Sequence, residues 1–250
     1  MIEVKGLSKR FDGVTAVDDV SFRVAAGEVF GLLGPNGAGK TTTLRILATL
    51  LDADAGEARV AGHDVFRQGE AVRRSIGVVN GGMGLYDRLT GREILHYFGR
   101  LYDMPRSAIE RRIAELDDLL HLGDALGKRA GTFSTGMKQK LVIARAVLHD
   151  PPVIFFDEVT SGLDVMARRA VLDVVKAYPS EARAVVYSTH VMSEVEELCD
   201  RAAVLYRGRV IAEGSIAALV EEGGEANLER SFFALVQRSG LASDDEEVAA

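Results

Sequence analysis

Apolar and polar residues alternate near the start of the chain, which is typical of β-strands with one buried face. Turn-forming pairs at Asp12-Gly13 and Ala26-Gly27 interrupt the alternation. The pattern predicts short antiparallel strands within residues 1–30. Its apolar positions are Ile2, Val4, Val20, Phe22 and Val24.

A compact apolar run at residues 29–33 indicates a buried central strand. A glycine-rich turn follows, and then a segment with apolar residues at helical spacing. A strand, a turn and a helix in this order begin a parallel α/β sheet. Two later apolar runs, at residues 153–156 and 184–187, are predicted strands of the same sheet.

Helical periodicity replaces the strand pattern between residues 90 and 120. Thr90 and Glu93 predict a capping box at the start of one helix, and Ser107 and Glu110 predict a second one. We expect these helices to form a subdomain, at about residues 82–150, inserted between two parts of the α/β core.

The last third of the chain returns to strands before it ends. A strand pair is predicted to turn at Arg207-Gly208, and a short helix is predicted over residues 228–236. The acidic residues 241–250 are predicted to form a disordered tail. The expected organisation is a single domain over residues 1–240 followed by this tail.

The net charge, the cysteine content and the length of the apolar runs indicate which classes of function fit this chain. The 250 residues carry a formal net charge of −7, which argues against a nucleic-acid partner because phosphate backbones are bound mainly by clustered Lys and Arg. The single cysteine, Cys199, has no partner for an internal disulfide, which fits a reducing compartment. No run approaches the roughly 18 apolar residues that span a bilayer, so we expect any membrane role to require a separate subunit.

The turn after the first central strand has the spacing of a phosphate-binding loop. Its glycines allow successive backbone N–H groups to face one concavity at the start of a helix. Lys40 is expected to contact the β- and γ-phosphates of ATP, and the Thr41 hydroxyl is expected to bind Mg²⁺. The alternative is an ordinary turn followed by a lysine. The predicted ATP-binding residues are Gly34, Pro35, Asn36, Gly37, Ala38, Gly39, Lys40, Thr41 and Thr42.

Two carboxylates end the strand predicted at residues 153–156. The carboxyl end of a buried parallel strand is where ligands bind in α/β sheets. Asp157 is therefore predicted to bind Mg²⁺, and Glu158 to polarise the attacking water as general base.

Further motifs follow in a fixed order: Phe133-Ser134-Thr135-Gly136-Met137 precedes the acidic strand, Ser161-Gly162-Leu163-Asp164 follows it, and His190 ends the next strand. With the phosphate-binding loop, this set resembles the ATP-binding cassette (ABC) family over nearly the whole chain. The resemblance implies a P-loop NTPase core with N-terminal antiparallel strands and a helical insertion. It also implies a signature motif at Ser134, Thr135, Gly136 and Met137, a D-loop at Ser161, Gly162, Leu163 and Asp164, and a catalytic histidine at His190.

The resemblance implies partners as well as chemistry. In this family two subunits form a head-to-tail dimer, and the signature motif of one binds the γ-phosphate held by the other. It further implies an integral membrane subunit as partner and a location at the cytoplasmic face of the membrane. Phe11 resembles the aromatic residue that stacks on adenine, with Val17 near the base.

The sequence departs from the family pattern in three places. Phe133, Thr135 and Met137 replace the usual signature residues, and Val159 replaces the usual proline. Asn80 stands where the family has a glutamine that approaches Mg²⁺. Because asparagine is one methylene shorter and is followed by glycines that predict a flexible loop, we expect Asn80 to contribute little to Mg²⁺ binding.

The spacing of the insertion and the tail resembles that in the single-cassette ATPases of ABC-2-type exporters. The segment after Asn80 is most similar to the corresponding segment of sodium-exporting (Nat-type) subunits. A drug or natural-product exporter is the close alternative. A soluble ABC ATPase without transport function and a small-molecule kinase are alternative hypotheses from other functional classes. The kinase alternative gives no role to Ser134 or His190.

Overall fold

An antiparallel sheet begins the computed structural model, which describes residues 1–241. The strands are β1 (Ile2–Phe11), β2 (Val14–Val24), β4 (Ala55–Val60) and β5 (His63–Asp64), in the order β2-β1-β4-β5. The register pairs Ile2 with Val24 and turns at Asp12-Gly13, where both residues have positive φ. The predicted N-terminal antiparallel strands are confirmed, and two strands that the sequence pattern did not indicate extend their sheet.

The second sheet is mainly parallel and forms the centre of the protein. Within residues 1–241 its six strands are β3 (Val29–Leu33), β6 (Ile76–Asn80), β7 (Val153–Asp157), β8 (Ala184–Thr189), β9 (Arg201–Tyr206) and β10 (Arg209–Ser215). They follow the order β10-β9-β3-β8-β7-β6, and of these six only β10 runs antiparallel to its neighbour. The three predicted central strands are all present and buried.

Helices cover this central sheet and connect its strands. They are α1 (Lys40–Leu47), α2 (Gly69–Arg74), α3 (Gly91–Leu101), α4 (Arg106–Leu120), α5 (Thr135–Val147), α6 (Val165–Ala177), α7 (Met192–Leu198), α8 (Ile216–Gly223) and α9 (Leu228–Arg238). No helix within residues 1–241 is long and apolar enough to cross a membrane. Apart from Leu241, the predicted acidic tail lies outside the described residues.

The two predicted capping boxes have different outcomes. Thr90 caps α3, and both hydrogen bonds of a capping box with Glu93 are present. The second prediction is wrong, because α4 already begins at Arg106 after Pro105, which leaves Ser107 inside the first turn. Pro105 is the N-cap of this helix, where its fixed φ is compatible with a helix start, and no side chain caps the first turn. Glu110 instead pairs with Arg92 and His96 of α3.

The central sheet separates two hydrophobic cores. Along β7, Val153 and Phe155 face the N-terminal sheet and α1, whereas Ile154 and Phe156 face the helices that follow α2. This division follows from the alternation of side chains along a strand. Ile94 and Ile109, from the helical insertion, belong to the same core as Ile154. The inserted helices therefore contribute to the hydrophobic core on this face of the central sheet.

Candidate active site

The predicted phosphate-binding loop connects β3 to α1. Gly39 has φ +100°, and a Cβ atom there would lie 2.5 Å from the backbone oxygen of Ala16. At Gly34 a Cβ atom would lie 2.2 Å from the backbone oxygen of Leu205. Only glycine fits these two positions, because side-chain atoms would overlap neighbouring backbone. The loop is thus pressed against the sheet, and α1 starts directly behind it at Lys40.

Lys40 is the cation of this loop. Its side chain is only 4% exposed, and its Nζ donates to the backbone oxygens of Gly34 at 2.7 Å and Pro35 at 3.0 Å. The same ammonium lies 3.2 Å from Oε1 of Glu158. A buried ammonium needs such partners, because an unpaired charge is costly away from water. The sequence predicted both residues but not their contact.

Asp157 accepts hydrogen bonds from hydroxyl groups on two neighbouring elements. Thr41 Oγ1 donates to Asp157 Oδ1 at 3.2 Å, and Ser188 Oγ donates to the same oxygen at 2.8 Å. Mg²⁺ prefers hard oxygen ligands, and a carboxylate beside a threonine hydroxyl at a phosphate-binding loop provides them. The residues present therefore fit a Mg²⁺ site. The sequence did not predict Ser188 as a site residue; the signal that could have indicated it is its polar side chain near the end of a buried strand.

Glu158 lies between a cation and a histidine. Its Oε2 is 2.7 Å from Nδ1 of His190, while Oε1 faces Lys40. Glu158 has φ +51°, an unfavourable conformation for a residue with a side chain, and its N–H donates to the backbone oxygen of Ser188 at 3.0 Å. Strained backbone at a strand end is common at functional sites. Here it brings a carboxylate and an imidazole together beside the phosphate-binding loop.

The predicted signature residues stand at the start of α5. Ser134 is the N-cap of the helix, and its Oγ accepts from the backbone N–H of Met137 at 3.2 Å. The cavity at this helix start is also lined by Asp164 and Met166. Among the described residues, the lining of this cavity includes none from residues 34–42. The helix start and the phosphate-binding loop of one chain therefore do not share this cavity.

The loop after Asn80 is better anchored than its glycines suggested. Asn80 pairs with Asp157 in the sheet register, and Gly81 donates its N–H to the Asp157 backbone oxygen at 3.0 Å. Arg145 of α5 donates to the backbone oxygen of Gly84 at 3.2 Å and to Sδ of Met83 at 3.0 Å. The loop thus links the end of β7 to α5, the helix that begins at the signature motif. The sequence did not predict a role for Arg145.

The two predicted base-contacting residues differ in accessibility. Phe11 ends β1 with 43% of its surface exposed, so its ring is open to a planar ligand. Val17 is completely buried, and a Cβ atom on Gly39 would lie 3.6 Å from its Cγ2. Val17 therefore packs beneath the phosphate-binding loop, and its position near the base stays a prediction.

A glycine-rich loop and lysine at one strand end, with two carboxylates and a histidine at the neighbouring strand ends, define a P-loop nucleoside triphosphatase. The family model described as "ABC transporter" matches residues 17–161. The chain belongs to this family, and it binds and hydrolyses ATP. The kinase alternative is thereby set aside.

The chain is similar to ATP-binding proteins of several transporters. It is 42% identical to the ABC transporter ATP-binding protein NatA of Bacillus subtilis, covering 95% of this chain and 99% of that protein. It is 44% identical to the daunorubicin/doxorubicin resistance ATP-binding protein DrrA of Streptomyces peucetius, over 87% of this chain and 66% of that protein. It is 41% identical to the Nod factor export ATP-binding protein I of Rhizobium sp., over 88% and 73%.

A solved structure described as an ATP-binding subunit of an ABC transporter has the same fold. The TM-score is 0.86 at 32% sequence identity, and the alignment covers 94% of this chain and 99% of that chain. The predicted fold class, a P-loop core with N-terminal antiparallel strands and inserted helices, is confirmed.

Proposed function

We propose that this chain is the ATPase subunit of an exporter and couples ATP hydrolysis to outward transport through a separate integral membrane subunit. It acts at the cytoplasmic face of the membrane. The observation that carries this proposal is the alignment with NatA along nearly the whole of both chains. Proteins named for drug resistance and for Nod factor export align over most of this chain as well. These names favour an exporter over a soluble ABC ATPase without transport function.

Five side chains carry the proposed hydrolysis. Lys40 neutralises negative charge on the phosphates, and Glu158 accepts a proton from the attacking water as general base. His190, in contact with Glu158, orients that carboxylate and the water. Thr41 and Asp157 would hold Mg²⁺, which supplies further positive charge for the phosphate oxygens. Phe11 offers its exposed ring to the adenine.

We further propose that the functional form is a head-to-tail homodimer with two ATP molecules between the chains. Supporting this, Ser134 and the N-terminus of α5 present a hydroxyl, N–H groups and the positive end of a helix dipole, a combination that favours anions. The described residues that line the cavity at this helix start do not include the chain's own phosphate-binding loop. A second copy would supply the phosphate that this surface requires.

A mixing experiment tests the shared site. Lys40→Ala and Ser134→Arg chains should each be inactive alone, because every site in either homodimer lacks one component. Mixed chains form one site with intact Lys40 and intact Ser134, so part of the ATPase activity should return. A heterodimer trapped by crosslinking is the control for assembly. Full activity of Ser134→Arg alone at high dilution would refute the shared site.

The loop of residues 80–84 and its aromatic neighbours are proposed to dock on the membrane subunit. Tyr86 is 51% exposed and packs edge-on against Tyr97, with ring centroids 5.6 Å apart. Exposed aromatic side chains are favoured at protein interfaces. Arg145 holds the loop and also lies over the Phe98 ring at 4.9 Å, so movement at this surface would reach the signature helix directly.

The transported substrate is proposed to be Na⁺, with a drug or natural product as the alternative. The test is reconstitution of the chain with its membrane subunit in inside-out vesicles, followed by ATP-dependent uptake of radioactive sodium. The Glu158→Gln protein is the matched control for ATP dependence. Uptake of an anthracycline without sodium uptake would support the alternative, and uptake of neither, with intact ATPase stimulation, would refute both substrates.

A further inference from the structure

A buried carboxylate lies next to the catalytic residues and takes no part in the hydrolysis described above. Glu194, in the first turn of α7, is only 1% exposed. Burying a carboxylate is costly unless hydrogen bonds and an opposite charge compensate. The position of its partners therefore shows what this residue holds together.

Three side chains from two elements meet this carboxylate. Oε2 accepts from the Tyr187 hydroxyl at 2.7 Å and from Thr189 Oγ1 at 3.0 Å, and both donors lie on β8. Oε1 accepts no well-aligned hydrogen bond; its close partner is Nε of Arg168, on α6, at 2.9 Å. One carboxylate thus joins β8, α6 and α7.

The contact with Thr189 reaches the catalytic histidine. While Thr189 Oγ1 donates to Glu194, it accepts from the backbone N–H of Val191 at 3.1 Å. His190 lies between these two residues, so the backbone on both sides of it is tied to the buried carboxylate. The imidazole then extends outward, 44% exposed, to its 2.7 Å contact with Glu158.

The other two contacts involve Tyr187 of β8 and Arg168 of α6. Tyr187 pairs in the sheet register with Phe156 of β7, two residues before Glu158. Burial, and then the Glu194 charge, raise the pKa of Tyr187 far above its ordinary value, so this hydroxyl remains a donor. Arg168 lies in the first turns of α6, which begins directly after the D-loop residue Asp164.

We propose that Glu194 is a positioning residue for ATP hydrolysis: by holding Thr189 and Arg168, it fixes His190 against Glu158 and fixes α6 relative to the histidine loop. Glu194 does not contact the reacting atoms and acts through His190. The inference rests on the proposed role of His190 in hydrolysis.

Two substitutions of Glu194 test the role. Glu194→Ala removes every contact, and kcat is expected to fall at least tenfold, whereas KM for ATP should stay within about threefold because the phosphate-binding loop is untouched. Glu194→Gln keeps an oxygen that accepts from both hydroxyls, so it should recover most of that kcat. A proportional rise in KM with unchanged kcat would overturn the proposal.

Glu197→Ala is the matched control. Glu197 lies on the same helix and also pairs with an arginine of α6, Arg169, at 2.8 Å, but its side chain is 40% exposed and has no link to Thr189. Its kcat should equal that of the unsubstituted protein. An equal loss in both variants would show that any α6–α7 pair matters, which would overturn a specific role for Glu194.

A double substitution separates positioning from general stability. If Glu194 acts through His190, Glu194→Ala should reduce the residual rate of His190→Ala by less than about threefold, because coupled residues are not additive. If the rate losses of Glu194→Ala and His190→Ala multiply in the double variant, the proposal for Glu194 is overturned while the role of His190 stands. Normal hydrolysis by His190→Ala would overturn the role of His190 and the present inference together.

Thr189→Val covers the case in which Glu194→Ala does not fold. It conserves volume and removes only the hydroxyl that links Glu194 to the histidine loop. The expected result is a fall in kcat with unchanged KM, absent in the His190→Ala background. Unchanged kcat in folded Thr189→Val would overturn the proposal.

Discussion

Replacing Glu158 by glutamine isolates the chemical step from nucleotide binding. The substitution keeps the shape of a side chain that lies 3.2 Å from Lys40 Nζ and 2.7 Å from His190 Nδ1. It removes the negative charge and the ability to accept a proton. Lys40 retains its two hydrogen bonds to the backbone oxygens of Gly34 and Pro35, so the loop should keep its conformation.

The expected magnitude follows from the two roles of the carboxylate. A positioned general base contributes about 10²–10⁴ in rate, or roughly 3–5 kcal/mol of transition-state stabilisation. We therefore expect kcat to fall by about a hundredfold or more. ATP affinity should be unchanged or higher, because the variant removes an anion that competes with the phosphates for Lys40.

The assay is phosphate release at saturating Mg·ATP, in single and multiple turnover, together with direct titration of ATP binding. Slow hydrolysis should also accumulate an ATP-bound dimer in size-exclusion chromatography. Glu181→Gln, at an exposed position, is the charge-matched control. Hydrolysis within about threefold of the unsubstituted rate would refute Glu158 as the base and make His190 the next candidate. Loss of ATP binding would instead assign Glu158 to the structure of the loop.

Three further predictions concern the cation, the Asn80 loop and a partly buried histidine. Lys40→Ala should abolish tight Mg·ATP binding in calorimetry, and unchanged affinity would contradict the phosphate assignment. Asn80→Ala should keep the basal ATPase rate within about threefold, which is a loss of transition-state stabilisation below about 1 kcal/mol. Tyr86→Ala should lose only the stimulation of ATPase activity by the membrane subunit. A hundredfold fall in the rate of Asn80→Ala that is restored by added Mg²⁺ would show that Asn80 reaches the metal. Burial lowers the pKa of His149 from 6.5 to about 4, so the stability that neutral His149 contributes is present above pH 6.5 and is lost as the pH falls toward 4. Urea unfolding should show roughly 2 kcal/mol of this loss between pH 7 and 5, and His149→Phe should abolish it; an unchanged pH dependence would refute this source.

Local patterns in the sequence were sufficient to predict the elements of the site. The phosphate-binding loop, the acidic end of β7 and the capping box of α3 each depend on residues a few positions apart, so their spacing reflects strand and helix geometry directly. The order of these motifs also indicated the family. The failure at Ser107 has the same local character, because two start signals overlapped and the proline preceded the serine.

The contacts between these elements were decided only by the tertiary structure. Lys40 meets Glu158, and Ser188 meets Asp157, because β3, β8 and β7 are neighbours in the sheet although they are far apart in the chain. Strand order depends on how whole faces are buried, which no short window of sequence contains. The same reason explains the recruitment of β4 and β5 to the N-terminal sheet.

Burial of single side chains was the other property that the sequence left open. Val17 and Phe11 lie close together in the chain, yet one is wholly enclosed beneath the phosphate-binding loop and the other is exposed. Glu194 looks like an ordinary charged residue of an exposed helix face, and only the packing of α6 and α7 on β8 encloses its carboxylate. Sequence periodicity identifies which side chains can be buried, whereas the packing of distant elements determines which of the polar ones are buried and what they hold in place.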